Sequence, residues 1–168
     1  GNGYALTAVV GKKNIMETAQ NSFISSTFWT ERIGPTAALE TLKIMKREKS
    51  WNIITDIGKT IQKGWLDLAS KYNLNVKISG IPSMTTYSFD SRNSLKYKTL
   101  ISQEMLKKGF LASTIFYACT QHEDKYLNNY LNELDDVYNI ISKCESDKLD
   151  INKLLDGPVC HSGFKRLN

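Results

Sequence analysis

The stretch richest in chemically useful side chains is SSTFWTERIGP, residues 25–35, where hydroxyls, two aromatic rings and an arginine stand immediately before a predicted helix. Hydroxyl donors, loop amides and the positive end of a helix dipole together suit a phosphate or a carboxylate. Ser/Thr-rich loops before helices also serve as simple caps. The spacing alone leaves both readings open.

Other chemistries find less support. There are only two histidines, His122 near a predicted helix start and His161 in a terminal loop, and no Cys or His is paired at ligand spacing, so no metal site is expected. No GxSxG elbow or equivalent marks a nucleophile. The adjacent carboxylates Asp135 and Asp136 lie on a predicted helix among lysines and read as a solvated face. Three cysteines, Cys119, Cys144 and Cys160, are odd in number and lack a CxxC, which points to neither a disulfide framework nor a zinc ribbon.

The elements that must carry these residues follow from periodicity. Tyr4–Val10 (YALTAVV) is apolar, β-prone and bounded by Gly3 and Gly11, which predicts a short strand in need of a partner. Lys12–Ala19 reads as one or two helical turns. Gly34-Pro35 places Pro at the first position of a helix that continues through Ala37–Arg47. Ser50 caps a second helix in which Ile54, Ile57, Ile61, Trp65, Leu68 and Tyr72 recur at steps of three or four. Two short strands, NVKIS and MTTYSF, flank Gly80-Ile81-Pro82, and Thr85, Tyr87 and Phe89 alternate against Thr86 and Ser88.

Leu95, Thr99, Ser102 and Leu106 give a helix stopped by Gly109. Phe110–Tyr117 predicts a third strand. Thr120 and Glu123 have the spacing of a capping box for a long helix reaching about Cys144, with Leu127, Tyr130 or Leu131, Leu134, Val137 or Tyr138, and Ile141 on one face. Asp147–Leu155 predicts a last short helix. The fold class is α/β, with a small α+β domain from about Asn75 in which helices cover a small sheet.

Composition narrows the class further. With 41% hydrophobic and 23% charged residues and only 3 Pro and 10 Gly in 168, the chain is neither disordered nor collagenous, and its length makes one compact domain the default. No apolar run approaches the roughly 18 residues that span a bilayer, and no basic-then-apolar leader is visible; the expectation is a cytoplasmic protein without a membrane partner. The net charge of +5 raises nucleic acid as a partner, but the lysines alternate with Asp and Glu along helices. The densest run, KIMKREK (Lys43–Lys49), ends a predicted helix, where cations complement the dipole.

In order and spacing, GNGYALTAVVGKKNIM, SSTFWTERIGPTAALETL, NVKISGIPSMTTYSFD, QEMLKKGFLAS and TQHEDKYLNNYLNELDDVY resemble the C-terminal part of class III aminotransferases, closest to the glutamate-1-semialdehyde aminomutase-like branch. The resemblance runs to about Cys144. It implies the aspartate-aminotransferase architecture (fold type I), a homodimer, pyridoxal 5′-phosphate as cofactor, and small-molecule amino donors and acceptors. It also places the Schiff-base lysine about three residues before Gly1, so that none of the chain's own lysines, Lys12 and Lys13 included, takes that role.

What carries over is Thr27, matching the loop threonine that binds the cofactor phosphate of the neighbouring subunit, with Ser26 beside it. Trp29 and Arg32 fall on the substrate side, although Arg32 could equally pair with Glu31 or Glu40. Two departures separate the chain from the aminomutase proper: the loop TFWTERIGP is longer than the usual TxxGNP form, and no carboxylate stands between Phe110 and Gln121. The resulting expectation is residues 1–33 as the tail of a large cofactor-binding domain, 34–73 as connecting helices and 74–168 as a small domain. This portion would be inactive alone, within a parent that transfers amino groups. A non-catalytic basic binding or dimerisation module is the alternative.

Overall fold

A computed structural model describes residues 2–23 and 27–163, so Ser26 lies outside the described residues. Contacts divide the chain into two compact units, residues 1–50 and 51–168, where its length alone had implied one.

In the first unit the expected strand at Tyr4–Val10 does not form: these residues are exposed and lack regular structure. The one sheet found among the described residues is built entirely from the second unit, and a β-prone segment without a partner leaves its ladder groups to water. The short helix α1 (Lys13–Met16) and a 3-10 turn (Glu17–Asn21) stand where one or two helical turns were expected.

Helix α2 spans Ile33–Glu48 and starts two residues earlier than the Gly-Pro signal implies. Pro35 therefore occupies the third helical position, where its missing N–H still costs no intrahelical bond. Lys46 and Arg47 lie in the last turn, against the negative end of the dipole, and Lys49 ends the helix in a left-handed conformation with φ 50°.

Helix α3 (Ser50–Lys71) opens the second unit's architecture, with Ser50 as its first helical residue and not a preceding cap. Its stripe is the one periodicity predicts: Ile61 and Trp65 are fully buried, and Ile57, Leu68 and Tyr72 pack on the same core. Strands β1 (Val76–Ile81) and β2 (Met84–Phe89) pair antiparallel from Val76↔Phe89 to Ile81↔Met84, and β3 joins the other edge of β2. The alternation holds, since Thr85, Tyr87 and Phe89 are buried. The third strand is Ile115–Tyr117 only. The residues before it first close helix α4 (Ser94–Lys107), through Gly109 at φ 86° and a bond from Phe110 N–H to the Met105 carbonyl.

Two further expectations are corrected. On α4 the period is right but the face is wrong: Leu95 and Leu106 are exposed, whereas Tyr97, Leu100, Ile101 and Met105 are buried. Both stripes fit helical spacing, and the larger apolar set takes the core. Helix α5 (Asp124–Glu145) begins after Glu123 with no side-chain cap, so Thr120 forms no capping box; instead Cys119 N–H donates to His122 Nδ1 at 3.0 Å in the turn before the helix. The last helix shrinks to a 3-10 turn, Ile151–Lys153, capped by Asp150. On α5, Leu127, Tyr130, Leu134, Val137, Tyr138 and Ile141 all face inward.

The core of this unit is aromatic. The Tyr87 ring lies 4.4 Å from Trp65, and Phe89 lies 5.5 Å from both Tyr97 and Tyr138; such pairs contribute about 0.5–1.5 kcal/mol beyond area burial. Trp65 Nε1 donates to Tyr130 Oη at 3.0 Å, while the buried hydroxyls of Tyr87 and Tyr138 have no partner. Gly58 on α3 receives the β1–β2 turn so closely that a Cβ there would meet the Pro82 carbonyl oxygen at 1.9 Å.

Three measurements test this packing. Gly58→Ala should destabilise the chain by about 1–3 kcal/mol or more, read from urea unfolding, because backbone and not a flexible side chain must move. Tyr130→Phe should cost about 1–3 kcal/mol by orphaning the indole N–H, whereas Tyr87→Phe and Tyr138→Phe should be neutral or stabilising because each removes an unpaired buried hydroxyl. Burial pushes the phenols of Tyr87, Tyr97 and Tyr138 well up and that of Tyr130 up to about 12. Their folded pKa values exceed the unfolded one near 10, so the stability they carry is complete below pH 10 and is lost as pH rises toward 12. Phenolate absorbance should therefore rise in two steps, exposed tyrosines first and the buried set only with loss of circular dichroism.

Candidate functional site

The loop ahead of α2 is built around Glu31. Its N–H donates to the Phe28 carbonyl at 3.3 Å, closing a turn over residues 28–31. Its carboxylate accepts from the N–H groups of Ile33 and of Gly34, the latter at 3.0 Å. The helix N-terminus that suits an external anion is thus occupied by the chain's own carboxylate, which satisfies the N–H groups of the first two helical residues ahead of Pro35, which has none, and complements the dipole. Arg32 contributes no side-chain cap.

The residues singled out from the sequence lie on this loop but are not gathered into a pocket. Thr27 and Arg32 are exposed, and Trp29 is 80% exposed. Among the described residues Arg32 makes no ion pair with Glu31 or Glu40: Glu31 serves the helix amides and Glu40 pairs with Lys43. Among the described residues this loop offers a phosphate group only exposed hydroxyls, those of Thr27 and Thr30, and no enclosing wall. Glu31 is the capping residue that reasoning by type passed over; an acidic residue two and three positions before helical amides was the available signal.

A concavity lies between the 110–117 segment and α5. It is a cavity of about 390 Å³ lined by Phe110, Phe116, Tyr126, Tyr130 and His122. His122 stacks on Phe116 with centroids 5.0 Å apart, and its Nδ1 is the acceptor for Cys119 N–H, so a neutral ring carries its proton on Nε2. No group of three His, Cys, Asp or Glu among the described residues could hold a metal ion. Several lysines of the second unit pair with carboxylates: Lys71 with Asp135 at 2.7 Å, and Lys108 with Glu133 at 2.6 Å and Asp136 at 2.8 Å. The hydrogen bond from Lys108 holds the Asp136 carboxyl below its usual range. No described helix is long and apolar enough to cross a membrane.

Comparison with known proteins places this arrangement. The fold resembles the structure of the PLP internal aldimine form of the FumI protein from a Sphingopyxis species, with TM-score 0.70 and 17% identity, over 87% of this chain and 36% of that one. This is the fold type I architecture that the sequence resemblance implies.

No family model matches the chain. Among curated proteins it is 26% identical over 132 residues to the 3-aminobutyryl-CoA aminotransferase of Cloacimonas acidaminovorans, covering 75% of this chain and 32% of that protein. It is 24% identical over 141 residues to the 2′-deamino-2′-hydroxyneamine transaminase of Streptomyces kanamyceticus, with 81% and 36% covered. The glutamate-1-semialdehyde 2,1-aminomutase of Methanococcus maripaludis is 26% identical over 152 residues, with 80% and 35% covered. The chain spans about a third of the length of these relatives. Sequence likeness and fold agree with the reading from its five segments, a resemblance to part of an aminotransferase or aminomutase.

Proposed function

We propose that the protein to which this chain belongs is a class III pyridoxal-phosphate-dependent aminotransferase, a cytoplasmic homodimer acting on small-molecule amino donors and acceptors. In this reading residues 1–33 are the tail of its large domain, 34–73 connecting helices and 74–168 its small domain. The observation that carries it is the collinear likeness, over three quarters or more of the chain, to two transaminases and an aminomutase. The long TFWTERIGP loop and the absence of a carboxylate between Phe110 and Gln121 favour amino transfer over the aminomutase reaction.

When bound, pyridoxal phosphate supplies an electron sink that stabilises negative charge on a substrate carbon. This chain's own residues act at the margins of that chemistry. Thr27, with Ser26 next to it in the sequence, would supply hydroxyl donors to the phosphate of a cofactor bound by the neighbouring subunit. Trp29 offers an apolar surface on the substrate side, and Arg32 a cation for an anionic substrate group. In this reading none of the chain's own lysines carries the cofactor. The pairing of Lys71, Lys107 and Lys108 with carboxylates supports a solvated charged surface over a basic nucleic-acid face.

The test is to purify the longer protein and record its visible absorption. A band abolished by borohydride, together with amino transfer across a panel of donors, is the expected result; a colourless protein with no cofactor overturns the reading, and steeply salt-dependent nucleic-acid binding would install the binding module instead. In that protein Thr27→Ala should raise the cofactor dissociation constant by roughly 5- to 150-fold, the equivalent of about 1–3 kcal/mol for a hydrogen bond to a charged group. Equilibrium dialysis measures it.

A further inference from the structure

We infer that Glu31 is a positioning residue that sets the geometry of the Thr27 loop, an inference that rests on the proposed cofactor role of Thr27. Within this loop the residues proposed to meet ligand, Thr27, Trp29 and Arg32, are all exposed, and Glu31 is the one that turns back toward the protein. It is tied three ways: its N–H to the Phe28 carbonyl, and its two carboxylate oxygens to the amides of Ile33 and Gly34. Freezing an otherwise unpacked loop requires interactions that offset its conformational entropy, and charge-assisted bonds to two backbone donors are among the stronger ones available.

The same clamp reaches further along the chain. Gly34 is buried, and a Cβ there would lie 2.3 Å from the Ala5 carbonyl oxygen and 3.4 Å from Glu31 Oε2. The Ala5 carbonyl, the first turn of α2 and the Glu31 carboxylate therefore meet at one point, which only glycine at position 34 permits. The Glu31 carboxylate and the Ala5 carbonyl thus both lie against Gly34. Because the carboxylate already fills the α2 amides, a phosphate near Thr27 is bound by hydroxyls and not by this helix end. The opposite arrangement, in which Glu31 is merely a displaceable occupant of an anion site, makes the reverse prediction for its removal.

Two readouts decide it. In this chain, Glu31→Ala should raise amide hydrogen exchange at Ile33 and Gly34 by about tenfold, the scale of a lost cap, with Glu31→Gln between the two. In the longer protein, Glu31→Ala should raise the pyridoxal phosphate dissociation constant by about tenfold or more while the melting temperature of the cofactor-free form stays within a degree or two, and Glu31→Gln should restore part of the loss. Unchanged cofactor affinity in Glu31→Ala, or tighter binding, overturns the positioning role, as does unchanged exchange at Ile33 and Gly34. Wild-type protein that binds no cofactor at all overturns instead the function on which the inference rests, and the exchange measurement still reports whether the clamp exists.

Discussion

Everything in the second unit depends on burying one face of a three-stranded sheet too small to stand alone. The central strand, β2, presents Thr85, Tyr87 and Phe89 to the helices, and these meet Trp65 from α3, Tyr97 from α4 and Tyr138 from α5. A strand's period of two admits only one register for such contact, since a slip by one residue would turn Thr86 and Ser88 inward. The single polar member of that face is satisfied: Thr85 Oγ1 accepts from Gln62 at 2.9 Å and donates to the Ser79 carbonyl at 3.2 Å. The price of a buried threonine is met by two bonds, whereas Tyr87 and Tyr138 keep theirs unmade.

Around this core the periphery is held by charge and caps. Ion pairs join α3 to α5 and the end of α4 to α5, on surfaces where each contributes little by itself. Ser91 and Tyr97 both donate to Glu145, anchoring the last turn of α5 beside the start of α4. These contacts set the lengths and ends of helices whose faces the aromatic core has already chosen.

The proposed chemistry sits elsewhere, in the first unit, where apolar side chains such as Val9, Val10, Phe23 and Trp29 are largely exposed. A loop with so little packing gains its geometry from hydrogen bonds, and Glu31 provides them. This division of labour agrees with a chain that spans about a third of its relatives, one unit self-sufficient in its core and the other carrying its proposed contacts to ligand on exposed residues.

The amino-acid sequence by itself determined the stripe on α3, the alternation on β2, the inward face of α5 and the stop at Gly109, because each is a local period or a local φ requirement with one strong solution. The family resemblance, and not residue type or spacing, singled out Thr27, Trp29 and Arg32. It did not determine which of two equally periodic faces of α4 is buried, since that depends on the volume the sheet and α5 leave to be filled. Nor could it show that Tyr4–Val10 is without a strand partner here, that the 110–117 strand shortens to three residues, or that Thr120 yields to Glu123 at the start of α5. The Glu31 clamp was hidden for the same reason: a cap is defined by where its helix begins. That beginning moved from Pro35 to Ile33 when the amides of Ile33 and Gly34 found a carboxylate within reach, a proximity that only the folded backbone decides.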